Sequence, residues 1–412
     1  MNQKRLVLIM LLTLCNLSLA QKVDYNEILK SIKEVKSAYL NDNSMLLKMS
    51  NNEIKLVDLD SNEKENIDIT GYIGRISQSK NDVYFITQTE GENNHNGILI
   101  NINGEQKTLP ISTYNAKISE NGKYIYTFQN DYFGGHFQLF ETETLNELDL
   151  PIRNYSSFQA EFIDTNRMFF LYQMVKRNTD LDNYYKEQRH NSIQKQRNME
   201  ITKEEARTLL KVQRDERRKT TKYDVTTKYL IYNIQTQQIE FESNLEIGND
   251  SYRFFTDMSS ITISEDGGKV LVSAFSDINR LLLHNRLLEI DLTNNTISDI
   301  SEKLGLKADD DIDEISYLNS NDYLVVGLNK GIAKFFLSNN SSIYKAEQKI
   351  NGRWTRKGNK VTQRGNKIII IDRFNKKFTW DYKNKNTLSV DSNSYPIFFT
   401  NGKLKETKEV LK

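Results

Sequence analysis

Histidine is the side chain best suited to acid–base or metal chemistry near neutrality. This chain has four histidines: His95, His136, His190 and His284. A histidine-lined site is one reading of them. No two stand at metal-ligand spacing, and a simpler reading is four surface histidines gathered on one face because loops lie there. The recurrent catalytic patterns are missing: there is no G-x-S-x-G, no H-E-x-x-H, no G-x-x-x-x-G-K-S/T and no G-x-G-x-x-G. Catalysis is not thereby excluded, since a site can be assembled from scattered loop residues.

Two charged segments offer other chemistry. Asp309, Asp310, Asp311, Asp313 and Glu314 form the one acidic cluster. Alternating carboxylates can converge on calcium, but the glycine of an EF-type loop is absent. A solvated loop pairing with a basic segment is the plainer reading. That basic segment is residues 176–222, with 14 Lys or Arg against 8 Asp or Glu, a local excess of +6. Within it Thr202-Lys203-Glu204-Glu205 is a capping box, which predicts a helix running to about Arg218. Its apolar face is thin: Ala206, Leu209, Leu210 and Val212. The segment reads either as a solvated helical excursion or as a basic arm for an acidic protein, an anionic glycan or a lipid headgroup. Aromatic interleaving is limited to Tyr184 and Tyr185, which argues against nucleic acid.

The elements that position these residues follow a repeat. Ile118-Ser119-Glu120-Asn121-Gly122-Lys123-Tyr124 returns as Ile263-Ser264-Glu265-Asp266-Gly267-Gly268-Lys269. Each is an apolar residue, a polar turn with glycine, and then a strand-like alternation. The apolar marker recurs at Leu40, Ile76, Ile118, Phe162, Ile263, Leu318 and Thr362, with separations of 36, 42, 44, 101, 55 and 44. A second marker, a strand closing on a polar residue before a turn, alternates with it at Asp58, Asn101, Glu141, Asn233, Asp291, Ser338 and Asp381. Seven copies of each at this period predict seven four-stranded units. The outlying separation holds an insertion of about fifty residues.

The repeat resembles the β-propeller superfamily, in the broad sense that includes WD40-like and TolB-like blades. Trp380-Asp381 matches the WD dipeptide at a strand end. The blades are also similar to the propeller that precedes the catalytic domain of prolyl-oligopeptidase-type enzymes, without that domain. Glu204-Glu205 resembles the glutamate pair by which aminodipeptidases of that type hold a substrate amine. The flanking aromatic residues are missing, so the role is not carried over. The expected fold class is all-β: a seven-bladed β-propeller of four-stranded antiparallel blades with a helical insertion in the fourth blade. Radial repetition explains why such meanders need one another, because each buries its two faces only between neighbours. The expected divisions are a signal peptide at 1–20, a lead-in helix at 21–35 and the propeller at 36–392. The insertion falls at 176–223, and 393–412 form a closing strand or tail.

Composition agrees with a folded, neutral chain. Pro numbers 3, Tyr 21 and Phe 19, hydrophobic residues make up 38% and the net charge is +1. Lys4 and Arg5, an apolar run from Leu6 to Leu14 and the small-x-small Ser18-Leu19-Ala20 form an export signal. Nothing else is apolar for long enough to span a bilayer. The only cysteine, Cys15, lies in this segment, and bulky Leu14 stands where a lipobox has a small residue. Cleavage after Ala20 would leave no thiol, hence no disulfide and no cysteine metal site. A periplasmic or extracellular, monomeric protein is expected, and no cofactor or metal is implied.

In a four-stranded meander, the first and third turns share one face of the ring. The second turns and the inter-blade links share the other. Long connections are expected on that second face at 89–96, 130–135, 176–223 and 276–286. Long loops are where function concentrates. The expected activity is therefore binding of a protein or polymeric partner, without catalysis. The contacts would be Tyr132, Phe133, His136, Arg280, His284 and Arg286, together with Arg214, Arg217 and Arg218 of the arm. The rival is a hydrolase or lyase with His136, His284 and the carboxylates of 309–314 at the channel mouth.

Overall fold

The computed structural model describes residues 35–40, 44–58, 64–67, 72–79, 84–90, 94–101, 103–112, 115–129, 136–150, 152, 157–177, 179–219, 223–248, 250–254, 261–276, 284–349, 360–371, 377–384, 388–391, 397–400 and 403–405. The proposed signal segment lies outside them, as does the lead-in helix except for its last residue, Val35, which opens a strand.

Seven sheets follow one another along the chain, each built on an antiparallel meander of consecutive strands, with the C-terminal hairpin added to the first. Their first strands are Val35–Leu40, Tyr72–Gln78, Asn115–Ile118, Ser157–Phe162, Ile261–Ile263, Asp311–Tyr317 and Lys360–Arg364. Each apolar marker falls in or directly after one of these strands. Their third strands are Ile54–Asp58, Asn94–Ile100, His136–Glu141, Tyr223–Asn233, His284–Asp291, Ile332–Asn339 and Lys377–Asp381, at whose ends the second markers fall. The chain is a seven-bladed β-propeller.

The repeated phrase is repeated in its atoms. In blade three the Ser119 hydroxyl donates to Asn121 Oδ1 at 2.8 Å and accepts from the Tyr124 amide at 2.9 Å. In blade five the Ser264 hydroxyl donates to Asp266 Oδ1 at 2.7 Å and accepts from the Lys269 amide at 2.8 Å. Gly122 and Gly267 take φ of 72° and 71°, which only glycine adopts without strain. The amide of Thr142 then reaches the Lys123 carbonyl at 2.8 Å, and that of Leu292 the Gly268 carbonyl at 2.9 Å. The first and third turns of a blade are thereby tied together.

Period-two alternation builds the junctions between blades. Tyr84 and Ile86 point to one face of blade two and pack with Leu46, Ile54 and Leu56 of blade one. Phe85 points to the other and packs with Ile118, Ile125 and Phe140 of blade three. Such side chains stabilise by about 1.5–3 kcal/mol each when fully buried, so the core is distributed over the junctions. At the junction of blades seven and one, Tyr39 packs against Ile369 and Ile371. The C-terminal hairpin, Ile397–Thr400 and Lys403–Lys405, adds to blade one: Ile397–Thr400 pairs in parallel with the first strand, from Ser37↔Ile397 to Leu40↔Thr400.

Two departures from the repeat concern the function. The first strand of blade five is in two pieces, Asp250–Arg253 and Ile261–Ile263, both paired with Lys269–Ser276. The insertion in blade four contains two helices, α1 (Thr179–Arg197) and α2 (Lys203–Lys219). Only α2 was expected; α1 lacks an apolar stripe that would reveal it. A third, short helix, α3 (Ser301–Leu304), lies in the link from blade five to blade six.

Candidate functional site: the second-turn face and its helical arm

Strand pairing corrects one expected loop. Residues 89–96 are not a long connection: Thr89 pairs with His95 and Glu90 with Asn94, so only 91–93 separate the paired strands. The longer second connections belong to blades three, four and five. They join Gln129 to His136, Arg177 to Tyr223 and Ser276 to His284, each pair facing across adjacent strands.

In blade four the second and third strands, Arg167–Arg177 and Tyr223–Asn233, are eleven residues each. Their pairing runs to Arg177↔Tyr223, whereas the flanking strands stop opposite Gln173 and Lys228. A two-stranded ribbon therefore projects past the blade and carries α1 and α2. Those helices form an antiparallel hairpin. Gln213 Nε2 of α2 donates to Ser192 Oγ of α1 at 3.0 Å and to the Gln188 carbonyl at 3.4 Å. Ala206 and Ser192 are the buried members of this seam, and Leu210, Tyr185, Gln188 and Gln196 are half-buried. Leu209 and Val212, read from sequence as part of the apolar face, are instead exposed at 42% and 49%.

The capping box forms as expected. The Thr202 amide and hydroxyl donate to Glu205 at 2.7 and 2.8 Å, and the Glu205 amide donates to Thr202 Oγ1 at 3.2 Å. Hydrogen bonds from the Thr202 backbone and side chain hold the Glu205 carboxyl below the ordinary glutamate value. Glu205 therefore serves the helix start rather than a substrate amine.

The acidic cluster is taken apart by the fold. It is not a solvated loop, because Asp311–Tyr317 is the first strand of blade six. Asp310 is completely buried, with Lys334 Nζ at 2.5 Å and Asn329 Nδ2 at 3.0 Å on one oxygen and the Lys307 amide at 2.9 Å on the other. Asp311 accepts from Asn285 Nδ2 at 3.2 Å, and the Asn285 amide reaches the Ala308 carbonyl at 3.1 Å. These contacts fasten the link between blades five and six against the second turn of blade six and the third strand of blade five, which confirms that links and second turns share a face. Among the described residues, no three His, Cys, Asp or Glu side chains are grouped to hold a metal ion.

The candidate contacts distribute as follows. Tyr132, Phe133 and Arg280 lie outside the described residues. His136 and His284 open the third strands of blades three and five, opposite Gln129 and Ser276, with blade four between them. His95 holds a similar place in blade two, and His190 is exposed on α1. Third strands lie away from the inner edge, so this is not a cluster at a channel mouth. Arg286 lies inside the third strand of blade five, its Nε 3.4 Å from Asp299 Oδ2 in the fourth. Its charge is engaged within the blade. Arg214, Arg217 and Arg218 occupy the last two turns of α2, close along the chain to the ribbon.

On the opposite face, a recess of about 160 Å³ is lined by the inner strands and first turns of blades three to five, including Lys117, Glu161 and Ser264. Lys117 and Glu161 pair across it at 2.5 Å, so its charges satisfy each other. Among the described residues, no helix is long and apolar enough to cross a membrane.

No protein-family model and no curated protein matches the chain. Solved structures similar to it are propellers. The β-propeller domain of the trilobed protease from Pyrococcus furiosus has 10% identity over 87% of this chain and 95% of that one, with a TM-score of 0.46. BamB from Moraxella catarrhalis has 11% identity over 89% and 90%, with a TM-score of 0.44. TolB from Acinetobacter baumannii has 9% identity over 72% and 60%, with a TM-score of 0.38. The likeness is one of fold.

Proposed function

We propose that the protein is an exported, non-enzymatic propeller that binds a protein or polymeric partner. The surface is the second-turn face of blades three to five together with the helical arm. Export rests on the N-terminal charge, apolar run and small-x-small site.

The observation that carries the binding reading is the arm itself. Its helices lie beyond the ring on a paired ribbon, and their seam is built from Ala206, Ser192 and glutamines rather than from the ring's core. Ordering a residue costs about 1–2 kcal/mol of backbone entropy. An ordered excursion that adds nothing to the junctions between blades has a use outside them.

The test is affinity capture from the native envelope with two proteins. One is the full chain. In the other, Arg177 is joined to Tyr223 by an Asn-Gly turn, which suits a two-residue hairpin at a paired position. The shortened protein should keep its β-sheet circular dichroism and cooperative melt yet lose the captured partner. An unfolded shortened protein would make the arm structural. An unchanged set of captured molecules would remove the arm from binding.

A further inference from the structure

The hairpin seam sorts the charges of the arm onto one side. On α1 the seam positions are Tyr185, Gln188, Ser192 and Gln196, and on α2 they are Ala206, Leu210 and Gln213. The residue after each α1 seam position is Lys186, Arg189, Ile193 and Arg197 in turn. On α2 the same step gives Arg207, Lys211 and Arg214, and the 4-4-3-4 spacing extends the row to Lys203 and Arg218. One residue is a turn of about 100° around a helix. In an antiparallel pair, equal rotations from the seam bring both rows to the same side. Eight of the nine positions are cationic.

The opposite side has another composition. One residue before each seam position stand Tyr184, Glu187, Asn191 and Lys195 on α1, and Glu205, Leu209 and Val212 on α2. The exposed apolar side chains Tyr184, Leu209 and Val212 are therefore on the side away from the cations. Among the described residues, Lys186, Arg189, Arg197, Lys203, Arg207 and Lys211 are exposed and make no ion pair.

We infer that the basic side of the arm docks on an anionic lipid bilayer surface, in the plane of the headgroups and without insertion. The inference rests on the reading of the arm as a binding element. Two cationic rows, about 17 and 23 Å long by helix rise and about 8–10 Å apart at a helix–helix distance, form a flat field. A plane of mobile anionic headgroups can meet both rows at once, whereas a single acidic helix or a linear polymer follows one. The apolar residues lie on the wrong side for an amphipathic helix sunk in the interface.

The experiment is co-sedimentation of the full-length protein with vesicles of phosphatidylglycerol and phosphatidylcholine, against vesicles of phosphatidylcholine alone. Binding is expected only with the anionic lipid, falling steeply as salt shortens the screening length. Each cation near such a surface contributes about fivefold in affinity. The K203Q/R207Q/K211Q variant should therefore bind on the order of 100-fold more weakly at unchanged melting temperature. The L209Q/V212Q variant should bind within about twofold of the parent, because apolar insertion contributes nothing in this geometry. Equal binding to both vesicles, full binding by the triple variant, or loss with L209Q/V212Q would each overturn the inference. Retention of heparin binding without vesicle binding would overturn it in favour of a soluble polyanion. Arm-dependent capture of a partner in the absence of vesicle binding would leave the proposed function standing and remove only the lipid.

Discussion

Asp310 carries one of the few fully buried charges among the described residues, and its partners make its role structural. Burial alone would raise its pKa. Lys334, the Lys307 amide and Asn329 outweigh burial and hold the carboxyl below the ordinary aspartate value. A carboxylate depressed in the folded state stabilises above its unfolded pKa of about 3.9 and loses that contribution as pH falls through the lower folded value. Asp310→Ala leaves the half-buried Lys334 ammonium and the Lys307 amide without their acceptor and is expected to cost about 3 kcal/mol. Among the described residues its exposed neighbour Asp309 accepts no hydrogen bond on its side chain and makes no ion pair, and Asp309→Ala should change stability by less than about 0.5 kcal/mol. Urea midpoints of the two variants check this; equal shifts would contradict the burial. Nothing in the run Asp309-Asp310-Asp311 tells these carboxylates apart, because the cation that selects Asp310 is 24 positions away.

At the scale of elements, the first turns are the most legible part of the chain, since serine, Asx and glycine at fixed offsets satisfy the turn within six residues. Gly267 has a second constraint. A Cβ there would stand 2.9 Å from Ile163 Cγ2 and 3.3 Å from the Ile163 carbonyl, in the turn of the preceding blade. Gly365 also has positive φ, at 53°, but has nothing within 4 Å of that point. Gly267→Ala should therefore cost about 2–3 kcal/mol and Gly365→Ala about 1 kcal/mol, the difference being the clash. Thermal unfolding separates the two, and equal losses would show that blades four and five do not abut there. Helices divide in the same way. The capping box reveals α2 locally. α1 has glutamine and serine at its seam, so its sequence carries no apolar period and it emerges only from pairing with α2.

At the scale of the molecule, each meander is made of consecutive strands, and among the described residues only the first sheet also takes in strands from the other end of the chain. The C-terminal hairpin supplies an added parallel strand on the inner side of blade one and also approaches the first strand of blade seven. Removing residues 393–412 takes away that edge partner. Because each blade leans on its neighbours, amide hydrogen exchange should quicken in blades one and seven while blades three to five stay protected. Uniform loss of protection, or none, would count against closure by the hairpin.

Blade number, strand order within each blade, the polar turns and the site of the insertion were all legible in the sequence, because alternation and turn chemistry act over a few residues. Other features depend on residues far apart in the chain. These include the pairing of Thr89 with His95 and Glu90 with Asn94, the burial of Asp310, the engagement of Arg286 by Asp299, and the projection of the arm on a ribbon. The one-sided charge of the arm belongs with them: each helix carries its cations in a row, but only the seam between α1 and α2 determines that the two rows face the same way.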